Sequence, residues 1–149
     1  MTDVMLVTGG SRGIGAAICR LAADRGYDVA VNYAGNAEAA EAVVRDVEAA
    51  GRRAGAIQAD VAKIEDVTRL FEETEAALGP VHTLVNNAGI TGRIARLEEI
   101  EPELVRETID INVLGTIWPS REAVRRMSTK RGGAGGVIVN LSSVAASLG

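Results

Sequence analysis

Near its start the chain carries an apolar run, Val4-Met5-Leu6-Val7, that leads straight into Thr8-Gly9-Gly10-Ser11-Arg12-Gly13-Ile14-Gly15. No other feature constrains the fold so tightly. The order is a strand, a glycine-rich turn, then a helix. Backbone N–H groups at a helix start have no partner within the helix, and the helix dipole favours an anion there. Glycine lets the chain turn sharply and lets a phosphate come close to the backbone. Taken alone, the glycines also fit an ordinary strand–helix turn. The rest of the sequence bears on that choice.

Strand and helix patterns alternate along the whole chain. Strands are expected at Val4–Thr8, Val29–Tyr33, Ala54–Ala59, Val81–Asn86 and Val137–Leu141. Helices are expected at Ile14–Asp24, with Ile14, Ala17, Ile18 and Leu21 on one face, at Ala37–Ala50 and at Glu65–Leu78. Asn36 caps the second helix, and Gly26 and Gly51 end the first two. A long helical stretch begins at Pro102 and runs to about Lys130. Pro119 lies inside it and should kink it, because its ring nitrogen cannot bond the Gly115 carbonyl.

This order predicts an α/β fold: a doubly wound parallel sheet of the Rossmann type, stopping after the fifth strand. All 149 residues read as one domain. In open sheets of this kind ligands bind beyond the carboxyl ends of the strands, where strand order reverses. That directs attention to Thr8–Gly15, Asn32–Asn36, Asp60-Val61, Asn86–Gly89 and Ser142-Ser143.

Composition narrows the partners. A net charge of −4 argues against nucleic acid. No apolar run reaches the length of a membrane span, so no membrane role is expected. Met1 leads almost directly into a strand, so no signal peptide is expected. Cys19 is the single cysteine and reads as a small buried side chain rather than a reactive thiol. A cytoplasmic location follows as the simplest expectation. No metal site is expected.

Two further motifs make the glycine turn specific. Strand four ends in Asn86-Asn87-Ala88-Gly89, and strand five in Asn140-Leu141-Ser142-Ser143. The T-G-x-x-x-G-x-G turn, the N-N-A-G tetrapeptide and the strand-five serine come in order over the whole chain. Together they resemble the short-chain dehydrogenase/reductase family, notably its carrier-protein-linked β-ketoacyl reductases and its sugar and steroid dehydrogenases. The resemblance implies that Gly9, Ser11, Arg12, Gly13, Ile14 and Gly15 wrap the adenosine and pyrophosphate end of a nicotinamide cofactor. It implies that Asp60 accepts from the adenine amino group, with Val61 beside it. Asn87, Ala88 and Gly89 then line the way to the nicotinamide ribose, and Asn86 ties strand four to its neighbours. Asn112 matches the asparagine that disturbs the long helix and helps hold a proton-relay water. Ser143 matches the serine that hydrogen-bonds the substrate oxygen; Ser142, one residue away, leaves the register open.

Charge bears on the type of cofactor. NAD is favoured by a carboxylate at the end of strand two. Here Asn32 and Tyr33 stand there, and no acid comes before Glu38. Asn32 is therefore a cofactor-binding candidate, and Arg12 can pair with a 2′-phosphate. NADP(H) is favoured over NAD(H).

The family's proton donor, a tyrosine followed four residues later by a lysine, has no match in these residues. Tyr27, Tyr33, Lys63, Lys130 and His82 all fall in the wrong places. The leading expectation is an NADP(H)-dependent oxidoreductase that interconverts a small carbonyl compound and its alcohol, with the Tyr–Lys pair outside this chain. The resemblance implies that these residues form a dinucleotide-binding domain whose carboxy-terminal part is absent, and that the complete protein is a homo-oligomer, a dimer or tetramer. The alternatives are a truncated, non-catalytic cofactor-binding module, and a protein whose sheet a partner completes. The cluster Arg121, Arg125, Arg126, Lys130 and Arg131 reads as a cationic helix terminus facing the dipole. Ile90–Leu97 offers a small, mixed lining for substrate.

Overall fold

The computed structural model describes residues 2–93 and 95–148. Ile94, within the expected substrate lining, and Met1 lie outside the described residues. Five strands form one parallel sheet: β1 (Val4–Val7), β2 (Asp28–Tyr33), β3 (Ala54–Gln58), β4 (Val81–Asn86) and β5 (Val137–Asn140). Their order is β3-β2-β1-β4-β5. The chain winds outward from β1 to β3, then returns to the other side of β1 for β4 and β5. The reversal lies between β1 and β4, and the carboxyl ends of these two strands frame a crevice there.

Helices α1 (Gly13–Asp24) and α2 (Ala37–Ala49) cover one face of the sheet. The other face carries α3 (Ile64–Leu78) and α5 (Gly115–Met127); α4 (Pro102–Ile109) precedes α5, and a short α6 (Ala145–Leu148) follows β5. Strand alternation divides the core. Val4 and Leu6 of β1 pack with Leu70, Phe71 and Leu84, while Val7 packs with Val29, Val31, Val43 and Val47. Asn36 caps α2 as expected, its side chain accepting from Ala39 N–H at 2.9 Å.

Two helical expectations need correction. The buried face of α1 is Gly15, Ala16, Cys19, Ala22 and Ala23, not the face of Ile14, Ala17, Ile18 and Leu21. Small residues let α1 lie close to the sheet behind the glycine turn, and Ile14 and Leu21 are left exposed. The long helix runs on through Pro119, which is buried inside a continuous α5. It is interrupted earlier, by a π turn over Asp110–Leu114. There Gly115 N–H donates to the Asp110 carbonyl five residues back. α5 ends at Met127, before Lys130, because Ser128 turns to an extended conformation.

Two of the five cations of the expected cluster, both in the last turn of α5, also form ion pairs. Arg126 bridges Glu122 and Glu75 and lies over the Phe71 ring, and Arg125 reaches Glu122. Among the described residues no helix is long and apolar enough to cross a membrane.

Candidate cofactor and active site

The glycine turn is held from below and open above. Thr8, fully buried, donates its N–H to the Val85 carbonyl, while its hydroxyl oxygen accepts from Asn87 N–H at 3.0 Å and Ala88 N–H at 3.1 Å. The Asn87 side-chain amide donates back to the Thr8 and Gly9 carbonyls, at 2.9 and 3.0 Å. The ends of β1 and β4 are thereby locked together across the strand-order reversal.

Inside this frame two glycines are required. Gly13 takes φ +53°, which a side chain resists, and nothing lies within 4 Å of where its Cβ would be. Gly15 faces inward; a Cβ there would run into the Gly9 carbonyl oxygen and the Asn87 amide. Helix α1 starts with no acidic residue in its first turn and no side-chain cap. Its first N–H groups are therefore free to receive an anion. Arg12 caps α1 by its backbone alone, is exposed, and makes no ion pair among the described residues. Ser11 is half-buried beside it and Ile14 is exposed on the same turn. A bare helix start, a cradle that a Cβ would fill and an unpaired guanidinium fit a pyrophosphate with a further phosphate nearby.

Asn32 does not face outward as expected. It is 2% exposed. Its Oδ1 accepts from Gly9 N–H at 3.1 Å, and its Nδ2 donates to the carbonyls of Ile57 and Ala59 at 3.3 and 3.1 Å. The reason is local: a buried amide must satisfy its polar atoms, and the turn and β3 offer partners. Asn32 supports the turn from beneath rather than presenting a polar group to a ligand.

At the end of β3, Asp60 is half-buried and its carboxylate is accessible. Its N–H donates to the Asp66 carboxylate at 2.8 Å, and its own Oδ1 accepts from Ala62 N–H at 3.0 Å. The Asp60 N–H and the Arg69 guanidinium hold the Asp66 carboxyl below its ordinary value. Lys63 pairs with Asp60 at 3.3 Å. Val61 is buried against α5. An open groove of about 640 Å³ runs beside this loop, lined by Ala34, Ala56, Gln58, Asp60 and Lys63 among others.

The other side of the crevice begins after β4. Asn86 is buried and donates to Ser120 Oγ at 2.9 Å and to Asn140 Oδ1 at 2.8 Å, tying β4 to α5 and β5. Ala88 is half-buried and Gly89 exposed. Asn112, inside the π turn, exchanges two bonds of 2.8 Å with the backbone of Ile90: its Oδ1 accepts from Ile90 N–H and its Nδ2 donates to the Ile90 carbonyl. The break in the long helix thus sits where an asparagine pins the loop that follows Gly89. The Asn112 carbonyl accepts from the Thr116 hydroxyl at 3.1 Å. Ser143 lies beyond β5, exposed, with its Oγ accepting from Ala145 N–H at 3.2 Å. Ser142 is exposed beside it.

A family model described as short chain dehydrogenase matches residues 3–149. The chain belongs to the short chain dehydrogenase family. Among members of this family, the uncharacterized oxidoreductase YgfF of Escherichia coli (strain K12) is 44% identical over 98% of this chain. The 3-oxoacyl-[acyl-carrier-protein] reductase FabG of Staphylococcus aureus (strain Mu50 / ATCC 700699) is 44% identical over 100% of it. A solved mutant short-chain dehydrogenase/reductase of Serratia marcescens, 34% identical, superposes with a TM-score of 0.86 over 97% of the chain and 56% of its own. The chain spans 59% of the length of YgfF and FabG.

Within the short chain dehydrogenase frame, two residues carry more of the architecture than sequence reading assigned them. Thr8 is the latch between the two loops, and its signal was its place at the end of an apolar strand. Asp66 fixes the Asp60 loop, and its signal was its place as an acid in the first turn of α3. Among the described residues no three His, Cys, Asp or Glu side chains gather as metal ligands do.

Proposed function

We propose that these residues belong to an NADP(H)-dependent oxidoreductase that interconverts a carbonyl and an alcohol on a small substrate. The observation that carries it is the bare start of α1, opened by Gly13 and Gly15 and flanked by the unpaired Arg12. Gly9, Ser11, Gly13, Ile14 and Gly15 would hold the pyrophosphate through backbone N–H groups and close contact. Arg12 would pair with the 2′-phosphate, and no acid at the end of β2 opposes that charge. Asp60 would accept from the adenine amino group, with Val61 behind it. Asn87, Ala88 and Gly89 would border the nicotinamide ribose. When bound, the cofactor supplies or accepts the hydride.

Ser143 would donate its hydroxyl hydrogen to the substrate oxygen, polarising the carbonyl. Asn112 would keep the loop at Ile90 in place, and its backbone carbonyl would hold a relay water. The proton would come from a Tyr–Lys pair outside these residues, where the lysine cation favours the tyrosinate. FabG is named for reducing a 3-oxoacyl thioester, so small 3-oxoacyl thioesters and ketones are the first substrates to try.

The test is titration of the full-length protein with NADPH and NADH, followed by nicotinamide fluorescence. NADPH should bind the more tightly. Arg12→Ala should weaken NADPH by roughly 10-fold, about 1.4 kcal/mol, and leave NADH nearly unchanged. Equal losses for both cofactors would overturn the assignment of Arg12. No binding of either at millimolar concentration would overturn the function.

A further inference from the structure

Gly115 opens α5 immediately after the π turn and is buried. A Cβ there would lie 2.7 Å from Val61 Cγ2 and 3.4 Å from Val61 Cβ. Carbon atoms in contact prefer about 3.5–4.0 Å, so Val61 fills the notch that the missing side chain leaves. Val61 is 5% exposed and β-branched, hence stiff at χ1. The loop around it is ordered by the backbone bonds of its neighbours. Asp60 N–H is held by the Asp66 carboxylate, Ala62 N–H by Asp60 Oδ1, and Lys63 N–H by the Asp60 carbonyl.

We infer that Gly115 is a positioning residue for the cofactor: its bare Cα seats Val61, and Val61 sets where the Asp60 carboxylate stands. This rests on the proposed role of Asp60 toward adenine. The helix cannot simply retreat from an added methyl group. Gly115 N–H closes the π turn on the Asp110 carbonyl, and that turn carries Asn112 with its two bonds to Ile90. The strain of an added methyl group therefore falls on the loop at Val61.

The experiment is Gly115→Ala in the full-length protein, with binding of NADPH and of reduced nicotinamide mononucleotide, which lacks adenine, read by fluorescence. NADPH affinity per folded molecule should fall about 10-fold, while the mononucleotide binds within about 2-fold of wild type. Adding Val61→Ala to Gly115→Ala clears the notch and should restore most of the NADPH affinity. Unchanged NADPH binding in Gly115→Ala, an equal loss for both ligands, or no recovery in the double variant would overturn the inference. Should Gly115→Ala fail to fold, Val61→Ile presses the same notch from the other side. It should show the same split between ligands, and its absence would overturn the inference. A wild-type protein that binds neither ligand would instead overturn the proposed function.

Discussion

The two sides of the strand-order reversal are built differently. On the β1 side, the turn from Thr8 to Gly15 rests on bonds to Asn32, Val85 and Asn87, and Gly9 and Gly15 face backbone at close range. On the β5 side, Val137 and Val139 are 56% and 43% exposed, and among the described residues the Ser143 hydroxyl has one partner, two residues along its own chain. One half is a preformed cradle. The other is a strand end whose side chains are largely exposed. If the proposed roles hold, cofactor binding and folding should depend on the same residues, whereas the hydroxyl proposed to meet the substrate oxygen should contribute little to either. Each substitution below tests that separation.

Gly15→Ala should have the largest effect. The added Cβ meets the Gly9 carbonyl oxygen and the Asn87 amide, both held by the lock between β1 and β4. Neither can move without breaking a buried hydrogen bond. NADPH affinity should fall by roughly 100-fold, about 2.7 kcal/mol, in the same titration. Overpacking should also cost stability, by about 1–3 kcal/mol in urea denaturation. Retention of wild-type affinity would mean that the cradle is not preformed, and the contrast between the two halves would fail.

Asp28→Asn should have an intermediate effect and separate stability from binding within the rigid half. Asp28 begins β2 at the opposite end of the sheet from the cradle. It is 1% exposed and is held by Arg52, the Arg53 guanidinium and Arg53 N–H. Burial pushes its carboxyl up, but the Arg53 N–H and the two guanidinium groups together outweigh that and hold it below its ordinary value. A lowered carboxyl stabilises the fold above its unfolded pKa, and that contribution is lost as pH falls through the folded value. Wild type should therefore lose stability on acidification, and Asp28→Asn should show a flatter acid limb. At neutral pH the variant should lose about 2 kcal/mol, less than a fully buried pair, because Arg53 is exposed and screened. NADPH affinity should stay as in wild type. A matching loss of affinity would show that the two ends of the sheet are coupled.

The same contrast governs what could be read from the residues alone. Gly13, Gly15 and the Asn36 cap were legible because each answers a local demand: a positive φ, a close approach, an unpaired helix N–H; the tie made by Asn86 was legible only through the family resemblance. Asn32 was misread because its position names a strand end while its burial is decided by β3, distant in sequence. Pro119, where a bond is missing, lies inside a continuous α5, and the long helix is interrupted at Asp110–Leu114, around the Asn112 that the family resemblance singled out. What the residues alone do not display is that Asn112 reaches across to Ile90 and that Gly115 meets Val61. Such pairings are tertiary, and no spacing along the chain displays them. The inner face of α1 was lost for a related reason. Hydrophobic periodicity favours the larger side chains, whereas a helix laid close to a sheet buries its small ones.

Ser143→Ala should have the smallest effect on the folded chain and for that reason sharpens the comparison most. Its hydroxyl is exposed and accepts one N–H at 3.2 Å, so removal should change unfolding free energy by less than about 0.5 kcal/mol. NADPH affinity should likewise be unchanged, since the cradle lies across the crevice on β1 and β4. Turnover of a carbonyl substrate by the full-length protein should fall by roughly 100-fold or more, as for loss of a donor to a developing oxyanion. The three readouts test different links. Lost stability would place Ser143 in the fold, and lost affinity would place it in the cradle. Retained turnover would remove it from the chemistry and return the choice to Ser142, which stands one residue nearer β5.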